Sequence, residues 1–169
     1  MDNNLELIKM ERYHISEAVD FIGKNMDSNE QQYASRTMNF HFDCEDNKLD
    51  DGRSYYIWKN DQQICGLAGL HNYTWGPKEN VWLGWFAVGK EFRRKGYGRQ
   101  LIKRIESIGY SAGYRKFFVE TYSSPHFAEA NLFYVKTGFT LVSRIPCYMN
   151  DGADMLIYYK PVQCTSLNV

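Results

Sequence analysis

The sequence has no surplus of charge of either sign: in 169 residues, Lys plus Arg and Asp plus Glu each number 20. General nucleic-acid binders and anionic-membrane binders carry a basic excess, so neither class is expected. No apolar run approaches the about 18 residues of a membrane span, and Met1-Asp2-Asn3-Asn4 offers no signal-peptide core. The four cysteines, Cys44, Cys65, Cys147 and Cys164, are scattered, with neither a C-x-x-C pair nor zinc-like spacing. A cytoplasmic protein with reduced, inert thiols and no metal is the expectation. No repeat, low-complexity segment or linker divides the chain, so residues 1–169 should form one domain with its core over about 5–160.

What is present is concentrated in VWLGWFAVGKEFRRKGYGR, residues 81–99. Residues 81–88 are apolar and aromatic, too short for a buried helix and suited to a buried strand. A turn and the basic run Arg93-Arg94-Lys95-Gly96-Tyr97-Gly98-Arg99 follow, and then Leu101, Ile105, Ile108 and Ala112 recur with helical period. Strand, basic glycine loop and helix start make an anion site, because the first amides of a helix lack acceptors and its dipole is positive there. Gly96 and Gly98 let a phosphate approach the backbone. No Gly-Lys-Ser/Thr follows, so the loop is not a Walker loop, and it lacks the six-residue dinucleotide fingerprint.

Taken in order, residues 5–10 alternate as a first strand, and Ser16 reads as the N-cap of a helix through Ala18, Val19, Phe21 and Ile22. A weak pattern places a second helix over 30–42, and 43–52 reads as a loop. Strands over 54–59 and 63–73 are joined by Asn60-Asp61-Gln62, with Gly66 and Gly69 marking a bulge or close packing. The helix after the basic loop ends at Gly113, and a strand over 116–121 follows it. That crossover sets the strand parallel to 81–88. Ser124-Pro125 opens a helix over 125–136, and strands over 141–144 and 155–160 finish the core.

Two motifs carry a resemblance. Arg93-x-x-Gly96-x-Gly98 resembles the Q/R-x-x-G-x-G/A pyrophosphate loop of the GNAT superfamily of N-acetyltransferases. Ala130, Tyr134 and Gly138-Phe139 resemble the A-x-x-x-Y-x-x-x-G-F ending of that family's fourth helix. The resemblance implies an α/β (α+β) fold: a mixed central sheet of six to seven strands, splayed between the fourth and fifth, with about four flanking helices. It implies acetyl-coenzyme A (acetyl-CoA) as co-substrate and no metal. The backbone of Phe86, Ala87 and Val88 would meet the pantetheine arm, and the pyrophosphate would sit on the loop formed by Arg93, Arg94, Lys95, Gly96, Tyr97, Gly98 and Arg99. Tyr134 matches the family tyrosine that protonates the leaving thiolate, as a phenol with a pKa of about 10 can.

The sequence departs from the family pattern at two points. The central-strand glutamate that serves many members as base is replaced by Gly84, so Glu120 is the first substitute and Glu79 the second. A water chain to solvent, or a purely structural ion pair for Glu120, are the alternatives. Phe127 stands where the family often has asparagine, beside His126. Tyr33, Phe40, His41 and Phe42, and likewise Trp75, Trp82, Trp85, Tyr122 and Tyr148, either wall an acceptor pocket or simply pack. Asp154 and Glu79 are candidate partners for a cationic amine or ordinary solvated carboxylates. The implied activity is transfer of acetyl to a primary amine of a small molecule or protein in a ternary complex. An O-acyltransferase, a user of another acyl-coenzyme A, or a non-catalytic coenzyme A-binding domain are the rivals, and the fold leaves room for a homodimer.

Overall fold

The computed structural model describes residues 5–60 and 63–162. Asp61 and Gln62 of the expected hairpin turn, and Cys164, lie outside the described residues. One mixed sheet of seven strands runs in the order β1-β2-β3-β4-β5-β7-β6. The strands are β1 (Leu5–Lys9), β2 (Arg53–Asn60), β3 (Gln63–His71), β4 (Asn80–Val88), β5 (Lys116–Tyr122), β6 (Thr140–Ile145) and β7 (Met155–Pro161). All neighbours are antiparallel except β4 and β5, which are parallel, as the crossover between them requires.

Four α-helices cover the two faces. Helices α1 (Ile15–Asn25) and α2 (Ser28–Asp46) bury Ala18, Phe21, Ile22, Ala34, Met38 and Phe42 against Ile57 and Leu67. On the other face, α3 (Tyr97–Ser111) and α4 (Ala128–Lys136) share a core with Trp58, Val81, Leu83, Phe117 and Tyr158. Leu101, Ile102 and Ile105 are at most 1% exposed. Burial of each contributes roughly 1.5–3 kcal/mol, so the start of α3 is held firmly against the sheet.

Three helix starts differ from expectation. Ser16 is not a cap: α1 grows from a short turn at Arg12–His14, where the Glu11 amide donates to His14 Nδ1 at 3.0 Å. Helix α2 is longer than the weak pattern suggested, because the Asp27 carboxylate caps it by accepting from the Glu30 amide at 2.9 Å. It runs on to Asp46, so part of the expected 43–52 loop is helical. Similarly, Pro125–Phe127 forms a tight 3-10 turn, and the regular helix begins only at Ala128.

Two irregularities in β4 position the site. Parallel pairing with β5 stops at Leu83–Val119, so Gly84 to Val88 and Glu120 to Tyr122 diverge. This is the splay. On its other edge, β4 carries a bulge: from Ala68–Phe86 to Leu70–Leu83, β3 advances two residues and β4 three. Val81 and Leu83 face α3 before the bulge. After it Phe86 and Val88 do, while Trp85 and Ala87 turn to the α1–α2 side.

Candidate active site

The basic loop lies between the end of β4 and the start of α3. Arg94 has φ +59° and Gly96, which caps α3, has φ +86°. Glycine adopts that region freely. Among the described residues, the amides from Arg94 to Arg99 have no protein acceptor; the first helical bond is Gln100 N to Gly96 O, 3.1 Å. Six successive free amides at a helix N-terminus form an anion cradle. An added Cβ at Gly98 would meet Phe133 Cε2 at 3.1 Å, so the ring and the helix start are in close contact.

The basic side chains of this loop do different jobs. Arg93 is committed to scaffold, donating from Nε to Val88 O (3.0 Å) and from Nη2 to Asn25 O (2.6 Å). Arg94 reaches Glu129 at 2.8 Å in an exposed pair, which is worth little in stability. Tyr97 packs on Trp58 and Phe92, with ring centroids 5.4 and 5.1 Å away. Arg99 lines a second cleft between α3 and α4 with Lys103 and Lys136.

The open edge of β4 comes next. Gly89 donates to Cys65 O at 3.0 Å. Because antiparallel bonds alternate, that bond turns the main chain of Ala87 toward β3 and that of Phe86 and Val88 toward the gap. The Val88 carbonyl is then taken by Arg93. Phe133 of α4 stacks on Phe86 at 5.4 Å and bridges the splay from one side. Among the described residues, two buried oxygens nearby lack partners, Thr121 Oγ1 and Asn131 Oδ1. Asn131 is fixed by donating from Nδ2 to Tyr122 O at 2.9 Å.

Tyr134 is 8% exposed and its ring packs against Phe139 and Tyr158. Burial pushes its phenol well above the usual range, and among the described residues no group hydrogen-bonds its hydroxyl. It is therefore protonated at neutral pH, a state from which it can only donate a proton.

On the opposite face, where the pairing ends, lies a cleft of about 270 Å³. Leu83, Gly84, Trp85 and Glu120 line it from β4 and β5. Glu120 accepts from the Tyr122 hydroxyl at 2.8 Å, and burial, then this bond, raise the Tyr122 phenol. Trp82 and Trp85 are walls, and Trp85 Nε1 donates to Thr37 Oγ1 on α2 at 2.9 Å. Sequence reasoning missed Arg53, Tyr55, His71 and Tyr73, which line the cleft from β2, β3 and the turn after β3. Their signal is cross-strand register, Arg53–His71 and His71–Trp82, which no spacing along the chain displays. Burial, then the Arg53 charge, lower the His71 pKa, so its imidazole is neutral near pH 7.

Several other candidates are placed elsewhere. Glu79 is bound to Lys116 at 2.6 Å, four residues before the pairing ends at Leu83, or about 13 Å along the strand. The Asp154 carboxylate accepts from the Cys147 amide (2.9 Å) and from Arg144, and these contacts lower its pKa. Trp75 is 84% exposed. His126 Nε2 is 3.3 Å from Asp27 Oδ2. His41 and Phe42 are buried, whereas Tyr33 and Phe40 are exposed. Tyr148 stacks on Tyr122 at 6.2 Å. Among the described residues no three metal-ligating side chains cluster, and no helix is long and apolar enough to cross a membrane.

Residues 17–139 match the model of the acetyltransferase (GNAT) family. No curated protein sequence matches the chain. Among solved structures, one from Desulfovibrio desulfuricans assigned to that family superposes with a TM-score of 0.83 at 18% identity, covering 94% of this chain and 99% of the other. The ribosomal-protein-S18-alanine N-acetyltransferase of Escherichia coli gives 0.70 at 17% identity, with 98% of each chain covered. A variant of the spermidine N-acetyltransferase of Vibrio cholerae gives 0.70 at 15%, with 95% of each covered. At such identities the likeness is one of fold, and the acceptors named belong to those proteins.

Proposed function

The chain belongs to the GNAT acetyltransferase family, and from that premise we propose that it transfers acetyl from acetyl-CoA to a primary amine by direct transfer in a ternary complex. One observation carries the reading: the gap beyond Leu83–Val119 has the amide cradle and α4 on one face and the cleft on the other. Donor and acceptor can reach the gap from opposite sides without displacing each other.

The residues present fit acetyl-CoA. The free amides of Arg94 to Arg99 suit a pyrophosphate. The outward main chain of Phe86 and Val88, with the orphaned Thr121 Oγ1 and Asn131 Oδ1, suits an amide-bearing arm. When bound, the co-substrate supplies an acetyl group already activated as a thioester. Tyr134 then serves as the acid toward the departing sulfur, and Glu120, on the β5 side of the cleft, receives the proton of the amine directly or through water. Lys95, Arg93, Arg94 and Arg99 add positive charge around the cradle.

The test is release of free thiol from acetyl-CoA in the presence of primary amines and matched alcohols, with the product identified by mass spectrometry. Acetylated amine with amine-dependent thiol release is expected. Alcohol-selective transfer, or tight acetyl-CoA binding with no transfer to any acceptor, overturns the reading.

A further inference from the structure

The β2 side of the cleft holds a cation that the acetyl transfer itself does not use. Arg53 lines the cleft with its side chain 25% exposed. Its Nη1 donates to Asp51 Oδ2 at 3.0 Å, and its Cζ lies 5.9 Å from the centre of the Phe40 ring. Asp51 is itself 6% exposed and is held by the Arg53 amide (3.0 Å) and His41 Nδ1 (2.8 Å). Burial opposes ionisation of Asp51, but the bonds from His41 and Arg53 outweigh it and hold its pKa low. The guanidinium is therefore braced from behind by a fixed carboxylate. Among the described residues Asp51 is its one hydrogen-bond partner, and a guanidinium has five N–H donors. The remaining donors have the fork geometry that recognises carboxylates.

Opposite charges thus stand on opposite sides of one aromatic-walled cleft, Arg53 on β2 and Glu120 on β5, with Tyr55, Tyr73, Trp82 and Trp85 among its other lining residues. Across the sheet, Arg53, His71, Trp82 and Phe118 fall in one row, and Glu120 is two residues beyond Phe118. Three strand spacings separate the backbones of Arg53 and Phe118, about 14 Å. Arg53 and Glu120 line the same cleft, so one small molecule in it can meet the two. The volume, about 270 Å³, falls below the ~300 Å³ at which drug-sized sites begin. A polyamine would press several cations against Arg53, and its chain would leave the aromatic walls poorly used.

We infer that the acceptor is a small zwitterion of the amino-acid class: a primary amine directed to Glu120, an aromatic or apolar body between the Trp and Tyr walls, and a carboxylate bound by Arg53. This rests on the transferase reading above and narrows it to a substrate class.

The experiment compares matched triplets with the intact protein and acetyl-CoA: tryptophan, tryptophanamide and tryptamine; phenylalanine, its amide and phenethylamine. Charge-assisted hydrogen bonds contribute about 1.5–3 kcal/mol, so the free carboxylate should raise kcat/KM roughly 10- to 150-fold over both neutral forms. Arg53→Met should remove that preference by slowing the carboxylates alone, and Arg53→Lys should restore part of it. Equal or better use of the decarboxylated amines by the wild-type protein overturns the inference while leaving the transferase reading intact. Uniform slowing of all three forms by a folded Arg53→Met does the same. Transfer to no amine at all overturns both. The wild-type comparison decides the matter even if the variant does not fold.

Discussion

Gly98 separates the stability of the free protein from its capacity to bind a phosphate, and Gly98→Asp should change only the second. The residue lies in the first turn of α3 and is not among the positive-φ glycines. A new Cβ meets Phe133 Cε2 at 3.1 Å, its Cζ at 3.5 Å and Val88 Cγ2 at 3.6 Å. That crowding costs about 1 kcal/mol, the low end for overpacking. Removing a helical glycine returns about 0.5 kcal/mol, and a carboxylate in the first turn adds about 0.3–1 kcal/mol through the helix dipole. The free variant should therefore melt within about 4 °C of wild type. In wild type, acetyl-CoA at about 100 times its Kd adds ~2.7 kcal/mol, a rise of roughly 5–11 °C for a chain of this size. In the variant, a carboxylate about 4 Å from a phosphate charge costs on the order of 4 kcal/mol at an effective dielectric constant of 20, and the rise should vanish. Gly96→Ala is the converse control. Nothing lies within 4 Å of its Cβ, but φ is +86°, so strain of about 1–2 kcal/mol should lower the free melting temperature while the ligand-induced rise survives. Scanning fluorimetry with and without acetyl-CoA reads both effects. A full ligand-induced rise in folded Gly98→Asp would refute the phosphate cradle.

Three further outcomes can be measured. Tyr134→Phe should cut single-turnover acetyl transfer by about 10²- to 10⁴-fold with acetyl-CoA affinity nearly unchanged; a loss below about threefold would make the tyrosine structural. Since no described group holds its hydroxyl, melting should shift by less than about 1 kcal/mol equivalent. Glu120→Gln should flatten the acidic limb of the rate against pH without altering donor binding, and an unchanged profile would remove it from the chemistry. Lys160→Met should destabilise the fold by about 3–5 kcal/mol, because Lys160 pairs with buried Glu106 at 2.7 Å. Burial already raises the Glu106 pKa, and losing its partner raises it further. The folded variant then holds a proton that the unfolded chain releases, so its loss of stability relative to wild type should be smaller near pH 4 than at pH 7 in urea titrations. An equal loss at both would contradict that account.

The sequence made the β4–loop–α3 unit legible because each of its signals is local: an apolar run, two glycines and a helical period within 81–112. The splay and the sheet came from the family resemblance, and both are present. Helix α2 was underestimated because it buries only Ala34, Met38, His41 and Phe42, a narrow stripe in an otherwise polar segment. Ser16 misled because an equally local device, the reciprocal Glu11–His14 bond, starts the helix earlier. The acceptor end of the site was the least legible part. Arg53 and His71 are 18 positions apart and meet Trp82 only through strand register, which is set by pairing across the sheet and leaves no periodic trace. Arg93 is the reverse case, a side chain that reads in sequence as part of the anion loop and that donates to two backbone carbonyls.

The single extra residue in β4 divides that strand into two sections with independent duties. Deleting Gly84 or Trp85 would restore an unbroken two-residue rhythm. Phe86 and Val88 would still face α3 and Ala87 the α1–α2 side, so both cores would keep their residues and only the bulge would be lost. Length and identity are thus both open to change in this short section. An added Cβ at Gly84 meets the Gly69 backbone at no less than 3.5 Å, so side chains can be exchanged in the cleft-facing section while Phe86 and Val88 keep their places. The fold can thus acquire a new acceptor preference by point substitution without rebuilding the half of the strand that faces the donor.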